Sequence, residues 1–419
     1  VARLDLRLGI NLTRQDLLSV DAASLDLDFT QERYSMGLIN KPFGDIITFT
    51  RASAATRINA AGQIETVAAN VPRIDYDPVT LQRRGILIEE QRTNLCNRSS
   101  VFSTGTAPNC TRTLSGVGSK YGTNFWSLTQ SAPSNEVARY QFGNTTAGTT
   151  YSAQMLLKRG TCDAFIGDGN LGHYVKFDLQ AGTVSSTKSA TGTIKAVGGG
   201  EYLCTATWTP ASNGSAIIGP WTNGVADRYA MPASALGEFC YAVGAQLEAG
   251  AFATSYIPTA GSQVTRAADV ASINTLSPWY NQTEGTLFAE FSSVGTNAAK
   301  FVSVEITNTP RSRAIGLTNG HGRQASIQSG TFVLQASYNF GSVTDGVTYR
   351  RAIAYGGNKA IAADSGVLGP EDTDCLIDAF DRLLIGNNTA GSQLAAGYIR
   401  RIHYYPKRLT NDQLQSLTA

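Results

Sequence analysis

Apolar residues at every second position, in runs too short for helices and closed by glycine-rich turns, constrain this sequence more than any other feature. In 151–157, Tyr151, Ala153, Met155 and Leu157 share one side of an extended chain. In 201–209, Tyr202, Cys204, Ala206 and Trp208 oppose Thr205, Thr207 and Thr209. In 239–247, Phe239, Tyr241, Val243, Ala245 and Leu247 read as one side, with Cys240, Gly244 and Gln246 on the other. A period of two is strand geometry with one face buried, the pattern of antiparallel sandwiches. Gln180-Ala181-Gly182, Val197-Gly198-Gly199-Gly200 and Ser212-Asn213-Gly214 supply the turns between these runs.

The pattern extends in both directions. Leu25, Leu27 and Phe29 alternate with Asp26 and Asp28, and 46–50 and 85–88 are further apolar runs. Ile58 and Ile64 flank Asn59-Ala60-Ala61-Gly62, a hairpin loop with glycine where φ must be positive. Alternation resumes in 286–291, 301–306, 350–355, 382–385 and 397–405. Helix signals are few: Thr13-Arg14-Gln15-Asp16 reads as the cap of one short helix, and Thr410-Asn411-Asp412-Gln413 as a capping box. The fold class is therefore all-β: an N-terminal segment of short strands over 1–95, then two antiparallel β-sandwiches over 96–268 and 269–419.

Charge and cysteine content exclude several function classes. The net charge of +2 in 419 residues gives no field to gather nucleic acid. No apolar run approaches the ~18 residues that span a bilayer, so membrane insertion is not expected. No signal-peptide pattern opens the sequence, and synthesis in a cytoplasm is the expectation. The six cysteines are scattered without CxxC spacing, and Cys204 and Cys240 sit inside apolar strands, so buried free thiols are expected.

Three ordered stretches carry a resemblance. The first is Phe49-Thr50-Arg51-Ala52-Ser53-Ala54-Ala55-Thr56, then Gly62, Pro72-Arg73-Ile74-Asp75-Tyr76-Asp77-Pro78, Gly85-Ile86-Leu87-Ile88-Glu89 and Gln91-Arg92-Thr93-Asn94-Leu95. It resembles the module that recurs in bacteriophage head-spike, head-fibre and tail-fibre proteins. The second runs from Phe177-Asp178-Leu179 and Gly182-Thr183-Val184 to Gly244-Ala245-Gln246-Leu247-Glu248. It closes with Ala253-Thr254-Ser255-Tyr256-Ile257-Pro258-Thr259 and Thr265-Arg266-Ala267-Ala268-Asp269. It is similar to the carbohydrate-binding-module-like jelly roll of phage structural proteins. One departure is Gly200-Glu201-Tyr202-Leu203, where such modules often read Gly-Trp-Tyr-Arg. The third, Leu383-Leu384-Ile385-Gly386-Asn387 with 397–405 and Leu409-Thr410, is similar to the last strands of concanavalin-A-like, laminin-G-type domains. In it, Tyr398, Ile402 and Tyr404 read as one face.

The resemblance implies a spike or fibre subunit on the surface of a virion or phage-like particle, made in the bacterial host cytoplasm, with 1–95 as its attachment or assembly segment. Its partners would be capsid-vertex, portal or tail proteins and host-cell surface polysaccharide, and it would form a homo-oligomer, a trimer or a pentamer. The alternatives are a capsid decoration or adaptor protein without glycan contact, and a glycan depolymerase. A lectin site needs an aromatic platform and a few polar groups. The candidates are Trp126, His173, Tyr174, Trp221 and Tyr229 in the jelly roll, and His321 and Arg323 in the last domain. Trp208 alternates with core residues and is read as structural, whereas Trp221 lies in Gly219-Pro220-Trp221-Thr222-Asn223-Gly224, read as a loop. No strand carries the alternating acidic residues of a glycosidase, and the three histidines show no triad or metal spacing, so an enzyme is not expected. No cofactor is expected either, with one open option: a structural calcium at Asp163, Asp168 and Asn170.

Overall fold

Alternation along the middle of the chain becomes two facing antiparallel sheets. The computed structural model describes residues 22–132, 137–222, 235–293, 302–308, 314–319, 323–329, 333–344, 346–377, 379–386 and 396–419. The helix cap read at 13–16 lies outside them. The chain divides into a central unit, 49–270 with 394–396, and a bipartite unit, 1–48 with 271–393 and 397–419. Residues 1–95, read from the sequence as one segment, are thus divided at residue 48.

The central unit is a sandwich. Its six-stranded sheet runs Cys110–Gly118, Asn124–Gln130, Phe239–Ala249, Tyr151–Arg159, Glu201–Trp208, Thr191–Gly198. Its five-stranded sheet runs Tyr140–Thr145, Gly214–Trp221, Asp163–Asp168, Tyr174–Asp178, Thr183–Lys188. Tyr151, Ala153, Met155 and Leu157 of one sheet meet Ala164, Ile166, Ala216 and Ile218 of the other in one core, with Trp126 and Trp208. Each large apolar side chain buried this way contributes about 1.5–3 kcal/mol.

One strand departs from its sequence reading. Within Phe239–Ala249 the core receives Cys240 and Ala242, then Ala245 and Leu247, while Val243 joins Phe125, Leu156 and Val197 on the sheet's opposite face. The register against Tyr151–Arg159 shifts between Gln154 and Leu156, and Gly244 takes φ +73°. This bulge adds one residue and reverses the parity of the strand. The single face read for Phe239, Tyr241, Val243, Ala245 and Leu247 is therefore corrected to two.

The hairpin Ala55–Ile58 to Ile64–Val67 forms as read, with Gly62 at φ +71° and Asn59 Oδ1 accepting from the Ala61 and Gln63 amides.

In the bipartite unit, one sheet runs Ile39–Asn40, Arg33–Met36, Leu25–Asp28, Ala396–Tyr405, Glu284–Ser293, Thr348–Gly356, Lys359–Asp364, Val367–Leu368. The other includes Val333–Asn339, Arg323–Ser329, Ala314–Asn319, Val302–Thr307, Arg382–Gly386 and Val270–Ile273 in that order. A second bulge, where Glu290 pairs with Arg401 and Phe291 with Ile399, reverses parity in Ala396–Tyr405. Ile399, Ile402 and Tyr404 are fully buried and Tyr398 is half-buried, so the face read as Tyr398, Ile402 and Tyr404 is corrected. The helix Asn411–Thr418 opens on the expected capping box of Thr410 and Gln413, and buries Leu414 against Phe288, Ala352 and Ile361. All six cysteines are buried and unpaired. No described helix is long and apolar enough to cross a membrane.

Candidate functional site

The resemblance-bearing residues of the central unit do not form an exposed site. They converge on a buried ion cluster. Arg51 Nη1 lies 3.0 Å from Asp269 Oδ1, and Arg73 donates to Asp269 Oδ2 and lies 2.9 Å from Glu89 Oε2. Arg266 Nη1 stands 2.9 Å from the same Glu89 oxygen. Ser255 donates its amide (2.7 Å) and its hydroxyl (2.6 Å) to Glu89, and the Glu89 amide donates to Asp269 (2.9 Å). Arg51 and Arg266 are 1% exposed, Glu89 3%, Arg73 and Asp269 0%. Burial disfavours charge on both signs, but the partners prevail: Arg266 and Arg73 hold Glu89 down at about 2, and Asp269 and Glu89 raise the pKa of Arg73.

Asn94 extends this joint. Its Nδ2 donates to the Ala245 and Ile257 carbonyls, and its Oδ1 accepts from the Cys96 and Leu247 amides. The ordered motifs thus tie 49–95 to the 245–269 stretch of the same unit.

The outer face of the five-stranded sheet, the side away from the core, gathers other candidates. Trp221 ends the strand Gly214–Trp221 and is 4% exposed; its reading as a loop residue is corrected. Tyr174 stacks on it with centroids 5.8 Å apart, Phe165 meets it edge-on at 5.5 Å, and Lys176 Nζ sits 3.6 Å over its ring. Leu171, Ile217, Val137 and Ala235 complete that cluster. Trp126 is buried in the main core and donates Nε1–H to the Ser100 carbonyl (3.0 Å). His173 Nδ1 is 2.5 Å from Asp168 Oδ2, whose other oxygen accepts from the Gly172 amide (2.9 Å).

The three calcium candidates do not converge. Asp163 and Asp168 stand at opposite ends of one strand, roughly 16 Å apart at the rise of a β-strand. Asp163 accepts from the Leu179 amide instead. Among the described residues no group of three or more His, Cys, Asp and Glu is placed to hold a metal. Tyr229 and His321 lie outside the described residues, and Arg323 opens the strand Arg323–Ser329.

Continuing along the same face from Ile217, the sheet carries a half-open pocket of about 160 Å³. It is lined by Thr106, Pro108, Arg139, Gln141, Gly169, Asn170, Gly214, Ser215 and Ile217. The Arg139 and Gln141 amides donate to the Pro108 and Thr106 carbonyls, which sets 106–108 alongside the strand Tyr140–Thr145 as one wall. Gln141 pairs with Ile217 across the sheet, so both point outward. Gly169 donates its amide to the Ser215 carbonyl at 2.7 Å, and a Cβ on Gly169 would lie 2.4 Å from Ser215 Oγ. Of these residues, sequence reading had singled out Asn170 alone. Alternation marks Gln141, Ser215 and Ile217 as outward-facing, but nothing local signals that 106–108 closes a wall beside them.

No family model matches the chain, and no curated protein matches it in sequence. Among solved structures, the chain is similar to a Ruminococcus gnavus IT-sialidase CBM40, with TM-score 0.27 and 16% identity over 33% of this chain and 84% of that one. It is similar to the receptor binding domain of botulinum neurotoxin type G, with TM-score 0.27 and 9% identity over 36% and 39%. It is also similar to a Trypanosoma rangeli sialidase, with TM-score 0.29 and 10% identity over 74% and 62%. Likenesses this distant assign neither ligand nor activity.

Proposed function

We propose that the chain is a non-enzymatic structural protein on the surface of a phage or phage-like particle. It is read as a spike or fibre subunit, displaying its β-sandwiches for adsorption to host-cell surface glycan. The observation that carries this reading is the convergence of the resemblance-bearing residues. Arg51, Arg73, Glu89, Ser255, Arg266 and Asp269, dispersed over more than two hundred positions of the chain, meet in one buried cluster. The resemblance to phage spike and fibre modules therefore describes one three-dimensional joint and not scattered matches. The outward pocket on the five-stranded sheet supplies a place for a sugar. The partners in the particle are capsid-vertex, portal or tail proteins, and the assembly is a symmetric homo-oligomer, a trimer or pentamer.

A second reading, a capsid decoration or adaptor without glycan contact, is favoured by one observation. Trp126, Trp208 and Trp221 are all buried, so none offers an open stacking platform. Binding of the full-length chain to host cells separates the two. Saturable binding, lost when the surface polysaccharide is removed, supports adsorption; no binding supports the adaptor. Incubation with host polysaccharide followed by a reducing-end assay should release no new ends, and release would overturn the non-enzymatic reading.

A further inference from the structure

Resting on the glycan reading above, we propose that the outer side of the six-stranded sheet binds a neutral pyranose unit of a surface glycan against Phe239 and Tyr241. Strand parity puts both rings on that side. Cys240 and Ala242 enter the core, so Phe239 and Tyr241 point the other way, and Tyr241 packs there with Phe125 and Leu156. Both rings are half-buried, whereas Trp126, Trp208 and Trp221 are buried.

The two rings form a corner. Their centroids are 5.1 Å apart and their planes meet at 80°. A pyranose laid on one ring is therefore bounded on one side by the other. Gly160 makes the room for this arrangement, since a Cβ there would lie 2.4 Å from the Phe239 ring.

Register supplies the polar groups, because residues paired directly across strands share a face. Tyr241 stands in a row with Ser127 and Thr113 on one side and Lys158 and Glu201 on the other. Phe239 stands in the neighbouring row with Thr129 and Thr111. Thr111 and Thr113 are exposed, and the half-buried Ser127 and Thr129 hold their hydroxyls 3.1 Å apart. Aromatic faces take the C–H side of a sugar, and the hydroxyls beside them both donate and accept.

Charge and composition choose the class of ligand. Lys158 and Glu201 lie directly opposite each other, so their charges offset and the two rows carry no net charge. None of the exposed Leu, Ile or Val side chains lies in either row, so the face lacks the aliphatic patch of a protein-docking surface. Two rings, four small hydroxyl side chains and no net charge match a neutral sugar better than an anion or a protein chain. Side chains carried on paired strands also lose little conformational freedom on binding.

The test is binding of the full-length chain to host cells, with Phe239→Leu and Tyr241→Leu measured beside it. Leucine fills half-buried space and removes the ring. Each variant should bind roughly 10-fold more weakly, the scale of one lost aromatic contact, with the urea midpoint little changed. On the unaltered chain, at least one neutral methyl glycoside of glucose, galactose or mannose should compete with the cells, and more strongly than glucuronate or galacturonate. Undiminished binding by both variants, or no competition by any neutral glycoside, would overturn this proposal and leave the glycan reading standing. An unaltered chain that binds no host cells would overturn both. The competition uses the unaltered chain, so a poorly folded variant cannot obscure the answer.

Discussion

Glu89 and Glu248 are both buried glutamates of the central unit, and their surroundings drive them in opposite directions. Glu89 lies between Arg266 and Arg73 and stays ionised down to about pH 2. Glu248, also fully buried, is pushed up to about 7 by burial, which its hydrogen bonds from Thr254 only partly offset. The consequences for stability have opposite signs. Glu89 stabilises the fold above its ordinary value of 4.5, and that contribution is lost as pH falls through about 2. Glu248 contributes fully below 4.5, and its contribution is lost as pH rises through about 7. Urea unfolding should therefore show stability declining between pH 5 and 8 by about 3 kcal/mol from Glu248 alone. Glu248→Gln, which still accepts from the Thr254 amide and can donate to its hydroxyl, should flatten that decline and be the more stable protein at pH 8. An unchanged slope in the variant would show that other groups set it. Asp269 offers a second test, since it pairs with Arg51 and Arg73 at zero exposure. Asp269→Asn strands buried positive charge and should cost about 3–5 kcal/mol in the same measurement.

At the scale of strands, the two bulges decide which side chains reach a core. Gly244 takes φ +73°, and a Cβ there would lie 2.0 Å from the Tyr121 ring. Gly244→Ala combines backbone strain with overpacking and should destabilise by about 2–4 kcal/mol in urea unfolding. A loss below about 0.5 kcal/mol, the scale of an ordinary surface change, would mean that the bulge can relax. The same bulge explains what was legible in the sequence. Period-two alternation placed Tyr151 to Leu157 and Cys204 to Trp208 in the core, because those strands run without interruption. It put Val243 with Leu247 because a residue inserted into a ladder leaves no mark in the apolar pattern. The capping box at Thr410 was readable since all its partners lie within four residues. The pocket was not, because Thr106, Gln141 and Ser215 meet only through pairings distant in sequence. Trp221 misled for a related reason: Gly219 and Pro220 read as a turn, yet both continue a strand paired with Asp163–Asp168.

For the molecule as a whole, the ion cluster makes 49–95 part of the sandwich that follows it, and this bears on how the chain can be divided. Residues 49–270 retain every partner of the cluster, whereas 96–270 lacks Arg51, Arg73 and Glu89 and leaves Arg266 and Asp269 without them. The longer fragment should unfold in one cooperative transition, and the shorter should aggregate or melt without cooperativity. Equal cooperativity would deny the joint its structural role. A rigid sandwich with an outward pocket, tied by its motif residues to the segment before it, is the form proposed for a surface adhesin. The most direct test of that claim is the adsorption rate of intact particles to host cells, measured with increasing concentrations of the purified full-length chain. The account expects the chain to compete and slow adsorption in a saturable way; an adsorption rate unaffected at concentrations that saturate cell binding, or a chain that binds no cells at all, would contradict it.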